Sequence, residues 1–233
     1  MSNIKFKPKI DCIFIHIPKT AGMTIYESIL DLKRFASWSL GTNDKAYIDK
    51  MNSYGSYTLL HIYYQSLLDE NYMENDFFKN TFKFCFIRNP YDRIVSLYKY
   101  HDIKNRLNYN FDNFIELLYN EYKNNTIPKI GLYNVKLFDK TSKLYHSHIY
   151  ANQYRQQIEW IPNDIGFIGR LEYFDNDINE LLLILGYKGP KIITQKINTS
   201  KDEDYSLYYK NNKTRELIKI MYKDDFNRFG YKM

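Results

Sequence analysis

The chain has 233 residues, 44% of them hydrophobic and 26% charged, with a formal net charge of +6. It can bury a sizeable core in one large α/β domain but is short for two, and the composition excludes a fibre or a disordered tail. The modest positive excess suits capture of anionic small molecules, whereas no run of consecutive Lys or Arg forms a nucleic-acid arm.

The longest apolar runs, such as Leu181 to Leu185, fall far short of a membrane span, and the N-terminus lacks a signal-peptide core. A soluble, cytoplasmic protein without an integral membrane segment is therefore expected. Cys12 and Cys85 sit inside apolar, strand-like runs and read as small core residues of a reducing compartment. The 24 tyrosines either reflect codon usage or supply aromatic platforms for sugars or bases.

In chain order, Cys12 to Ile17 is a short apolar, partly β-branched strand that Pro18 stops by removing a donor and fixing φ. Lys19 to Gly22 is then a turn. From Thr24 to Leu32 the apolar residues Ile25, Ile29 and Leu32 have the spacing of one helical face. A strand, a tight loop with Lys19, Thr20 and Gly22, and a helix N-terminus together suit an anionic oxygen cluster, although an ordinary strand-to-helix connection has the same outline. Trp38 to Tyr57 is polar with repeated turn signals and reads as a loop suited to a mobile active-site segment. His61 follows within a short apolar stretch, ahead of a helical Gln65 to Glu70.

The second informative segment begins at Thr81. Phe82 to Ile87 is almost continuously apolar, as expected of a strand buried on both faces in a parallel sheet. It ends at Arg88; Asn89 is an N-cap, Pro90 suits the first helical turn, and Ile94, Leu97 and Tyr98 make the apolar face of a helix. Arg88 at the C-terminal end of a strand, with Ser96 two turns into the helix, is a fitting receptor for a phosphate. Beyond it, Asn110 to Tyr122 reads as an amphipathic helix through Phe111, Phe114, Ile115 and Leu118, with a turn around Pro128 and Gly131. His146, His148 and the run from Tyr154 to Gln157 set polar groups among aromatics and are candidates for acceptor contacts. His-x-His without a third ligand does not make a zinc site, and no metal is expected. Phe174 to Leu185, ended by Gly186, and Lys213 to Phe229, ended by Gly230, read as two further helices. No internal repeat or linker interrupts residues 1 to 233.

With both segments in hand, the chain resembles the sulfotransferases that use 3′-phosphoadenosine 5′-phosphosulfate (PAPS), in particular their carbohydrate and uronosyl branch. Ile15-His-Ile-Pro-Lys-Thr-Ala-Gly-Met-Thr24 is similar to the loop that binds the 5′-phosphosulfate, and Ile87-Arg-Asn-Pro-Tyr-Asp-Arg-Ile-Val-Ser96 to the segment that binds the 3′-phosphate. Phe167 to Glu172 resembles the family's third strand element, Ile197 to Lys201 a later loop near the nucleotide, and Tyr222 to Tyr231 the closing helix. Leu107 to Tyr150 matches little. The order Gly-x-x-x-x-Gly-Lys-Ser/Thr of an ordinary NTPase is absent.

The resemblance implies a P-loop-like, three-layer α/β fold with a central, mainly parallel sheet flanked by helices. It implies PAPS as sulfonate donor, no metal, and a hydroxyl-bearing acceptor such as a saccharide or glycoconjugate. Donor contacts are expected from Lys19, Thr20, Ala21, Gly22, Met23, Thr24, Arg88, Ser96, Ser200 and Lys201. Lys19 would also follow the charge of the leaving oxygen, and His61 would be the base for the acceptor hydroxyl, with Glu27, Glu70 and His101 as alternatives. Met23 departs from the pattern, since the family usually has Thr or Ser at that position. A nucleotide-dependent kinase and a noncatalytic nucleotide- or glycan-binding module are the competing readings.

Overall fold

The computed structural model describes residues 5–35, 38–42, 45–53, 64–69, 71–124, 153–193 and 204–233. In chain order the strands are β1 (Cys12–Ile15), β2 (Lys33–Phe35), β3 (Trp38–Gly41), β4 (Phe82–Ile87) and β5 (Phe167–Arg170). The helices are α1 (Gly22–Thr24, widening into a π turn over Ile25–Ile29), α2 (Lys45–Ser53), α3 (Tyr64–Asp69), α4 (Asn75–Asn80) and α5 (Pro90–Tyr100). They continue with α6 (Ile103–Leu107), α7 (Phe111–Lys123), α8 (Phe174–Ile184), α9 (Asn212–Met221) and α10 (Lys223–Phe229), and a short 3₁₀ turn spans Gln157–Trp160.

Among the described residues the strands form one sheet in the order β2-β3-β1-β4-β5. β1, β4 and β5 are parallel, in register through Ile15↔Cys85 and Ile87↔Arg170. Strict two-residue alternation sorts their side chains. Ile13, Ile15, Cys85 and Ile87 pack with Phe78, Trp160 and Phe229 on one face, while Cys12, Phe14, Phe84 and Phe86 pack with Ile25, Ile178, Leu181 and Leu182 on the other. Phe14 stacks on Phe84 with ring centroids 5.1 Å apart. Helices thus cover both faces, which is the three-layer α/β arrangement expected, with the parallel strands carrying the two motif loops. A further apolar cluster joins α5, α7, α9 and α10 through Leu97, Phe114, Ile115, Ile218 and Phe226. Among the described residues, no helix is long and apolar enough to cross a membrane.

The caps follow the sequence. Asn89 accepts from the Tyr91 N–H at 3.0 Å ahead of Pro90, and Asn110 accepts from the Asn113 N–H at 2.9 Å. Gly230 adopts φ 65° so that the Tyr231 N–H reaches Phe226 O at 3.2 Å, closing α10.

Three local expectations are corrected. The helix predicted to run to Leu32 ends at Ile29, because the Phe6 N–H takes Ile29 O at 2.8 Å and Phe6 O accepts from the Asp31 N–H at 2.9 Å, pulling Leu30 into an extended bridge. The loop predicted over Trp38 to Tyr57 contains β3 and α2. β3 pairs antiparallel with both β1 and β2, and Ser39 and Leu40 are fully buried; pairing with a neighbouring strand outweighs a polar local composition. The helix predicted over Lys213 to Phe229 breaks at Tyr222, whose buried hydroxyl donates to Tyr154 O. Phe84→Ala should cost about 3–5 kcal/mol of unfolding free energy in urea titrations, whereas Ile193→Ala, at a position 84% exposed, should change it by no more than ~0.5 kcal/mol.

Candidate active site

Because β1 and β4 are adjacent and parallel, the turn after Ile17 and the turn at Arg88 emerge side by side at the C-terminal edge of the sheet, where open α/β folds bind ligands. The second segment grips the first through its backbone. Arg88 Nη1 donates to Lys19 O at 3.3 Å and Arg93 Nε donates to Pro18 O at 3.0 Å. Arg93 is fully buried; its Nη1 donates to Arg155 O at 2.9 Å and its Nη2 to Gln153 O at 2.6 Å, with the guanidinium 5.5 Å from the Trp160 ring. The Thr20 hydroxyl donates to Ile17 O at 2.8 Å, so Thr20 offers the opening its backbone rather than its hydroxyl hydrogen.

Held by these carbonyls, Lys19 and Ala21 each take φ 68°, a left-handed state that costs a residue with a Cβ on the order of 1 kcal/mol. The N–H groups of Gly22, Met23 and Thr24 then open α1 without intrahelical acceptors. Gly22 is required by close approach, since a Cβ there would lie 2.1 Å from the His16 ring. His16 was not singled out from the sequence, yet it forms the support under this loop, between Phe14 and Tyr26. The signal was its parity with Phe14 along the strand. Met23 is 39% exposed and its Sδ accepts from the Tyr26 hydroxyl, so a thioether stands where a hydroxyl was expected.

Arg88 donates from Nε and Nη2 to the two carboxylate oxygens of Asp92 at 2.7 and 2.8 Å, a bidentate pair that orients the guanidinium. Asp92, Ser96 and Tyr100 are spaced four apart along α5 and share one face. Lys19 Nζ lies 4.2 Å from the centroid of the Tyr100 ring, itself 65% exposed. Helical spacing therefore sets the half-buried Ser96 between the residue paired with Arg88 and the residue that receives Lys19. Two cations beside the start of α1, with a hydroxyl on the neighbouring helix, have the charge and donors that a multiply charged anion requires.

Other candidates are placed differently. Tyr154 to Gln157 is not a free acceptor surface: Arg155 pairs with Glu159 at 2.8 Å, Gln156 exchanges hydrogen bonds with Asp224, and Gln157 is fully buried. His101 is buried at the end of α5 with Nε2 3.2 Å from Gln153 Oε1. His61, Glu70, His146, His148, Ser200 and Lys201 lie outside the described residues, as does the side chain of Glu27. Among the described residues, no three His, Cys, Asp or Glu side chains are grouped to hold a metal ion.

Burial and then the Arg88 charge lower the Lys19 pKa to about 8 from 10.5. Between those values the unfolded chain holds a proton that the folded chain has released, so this group makes stability rise with pH from about 8 towards 10.5, and it destabilises the free fold below 8. Lys19→Met should raise the Tm at pH 7 and flatten that rise, as read by thermal denaturation across pH.

The profile of the Sulfotransferase family matches residues 2–232. No curated protein and no solved structure matches the chain significantly. The family match spans nearly the whole chain, including both motif loops and the strands that bring them together. The chain belongs to the sulfotransferase family and is an enzyme of sulfonyl transfer, the chemistry for which that family draws on PAPS.

Proposed function

We propose that the enzyme moves the sulfonate of PAPS to a hydroxyl of a saccharide or glycoconjugate, by in-line transfer with His61 as base. The observation that carries the donor assignment is the contact of Arg88 with the Lys19 backbone at the ends of two adjacent parallel strands, with Ser96 on the α5 face between Asp92 and Tyr100. The residues present fit such a donor: two cations, a hydroxyl and the N–H groups that open α1.

PAPS supplies a sulfonate activated by a phosphate leaving group. The backbone of Thr20 to Thr24 cradles the 5′ end, and Arg88 with Ser96 holds the 3′-phosphate, which gives selectivity over ATP. Ser200 and Lys201 complete the nucleotide contacts. Lys19 stays mostly charged at pH 7, with its pKa near 8, and it neutralises the bridging oxygen as the S–O bond to that oxygen breaks. The acceptor oxygen forms the new S–O bond while His61 takes its proton. Resemblance to the uronosyl branch supports a saccharide acceptor, as does the exposed Tyr100 ring beside Lys19.

Thermal stabilisation by 3′,5′-ADP and not by ATP is the expected result, and Arg88→Ala should lose most of it; wild-type affinity for 3′,5′-ADP in that variant would remove the phosphate role. His61→Ala should lose roughly two to four decades of turnover in a labelled-sulfate transfer assay while still binding 3′,5′-ADP. Unchanged turnover would eliminate His61 as the base.

A further inference from the structure

Arg88 lies just past the registered strand pairs of the sheet, which end at Ile15↔Cys85 on one side of β4 and at Ile87↔Arg170 on the other. A residue in that position has backbone groups with no partner strand, yet both groups of Arg88 are satisfied by one side chain. Gln157 Oε1 accepts from the Arg88 N–H at 2.9 Å and Gln157 Nε2 donates to Arg88 O at 2.8 Å. A carboxamide carries the same donor and acceptor as a peptide group, so Gln157 continues the ladder where the strands stop.

Gln157 is in turn held from α10. Asp225 Oδ2 accepts from the Gln157 N–H at 2.8 Å and from Nε2 at 3.3 Å, and Oδ1 accepts from the Ile158 N–H at 2.9 Å. Both Gln157 and Asp225 are fully buried. A buried amide in this position has two orientations, and only the one with Nε2 towards the Asp225 carboxylate also donates to Arg88 O. Asp225 thus selects the Gln157 orientation, and Gln157 fixes the backbone from which the Arg88 side chain departs. Asp92 fixes the far end of that side chain.

We propose that Gln157, oriented by Asp225, is a positioning residue that aims Arg88 at the 3′-phosphate of the donor. This rests on the assignment of Arg88 to that phosphate. It extends the site to the closing helix α10, far along the chain from either motif loop.

The test is calorimetric titration of the full chain with 3′,5′-ADP and with 5′-AMP, which differ only by the 3′-phosphate. The wild type should prefer 3′,5′-ADP, and Gln157→Met should lose roughly tenfold in affinity for it while 5′-AMP binding stays within about twofold. Added to Arg88→Ala, Gln157→Met should cause no further loss, because it acts through Arg88. Asp225→Asn keeps the side-chain volume but removes the carboxylate that selects the Gln157 orientation; it should show the same pattern, and it decides the matter if Gln157→Met does not fold. Retained preference in the folded variant, or equal losses for both ligands, overturns the inference. A wild type that binds both nucleotides equally overturns the phosphate assignment itself, and this inference with it.

Discussion

The structure turns on a buried guanidinium. Arg93 is closed off from solvent inside the first helix after β4, and removing such a charge from water is costly unless every donor finds an acceptor. Its acceptors are main-chain carbonyls of Pro18, Gln153 and Arg155, so the cost is offset only when three segments distant in sequence converge. One of those carbonyls belongs to the loop that carries Lys19. The charge that would destabilise an isolated helix becomes the fastening between the two halves of the site.

That fastening explains how the loop tolerates its own strain. Lys19 and Ala21 are both left-handed without being glycine, and Lys19 is held partly out of water next to another cation. Such a loop would relax if free. It is gripped at Pro18 O and Lys19 O by two arginines and at Ile17 O by Thr20, and His16 fills the space under Gly22. Burial and the neighbouring Arg88 charge make the Lys19 cation unfavourable, so an anion placed beside it would relieve the same electrostatic cost that lowers its pKa.

Much of this was legible in the order of residues, and the parts that were share a cause. β1 and β4 announced themselves as apolar runs stopped by Pro18 and by Arg88-Asn89-Pro90, because burial on both faces and helix capping are written into consecutive residues. The helix at Phe111 was similarly marked by Asn110 and its apolar spacing. The hairpin of β2 and β3 was not, since its burial is supplied by β1 rather than by its own composition. Nor was the break at Tyr222, which follows from a hydrogen bond to Tyr154, a residue far off in sequence.

Local periodicity, caps and charge are properties of consecutive residues, and they sufficed to specify the α/β class and the two motif loops with their basic and hydroxyl residues. What holds those loops in place is visible only in the packing of distant segments. Gln157 looked like one polar residue in an acceptor-facing run, and it is instead a buried extension of the sheet at Arg88; Asp225, within what read as an uninterrupted helix, is the group that orients it. A buried polar group is defined by its partners, and here every partner comes from another element of the chain.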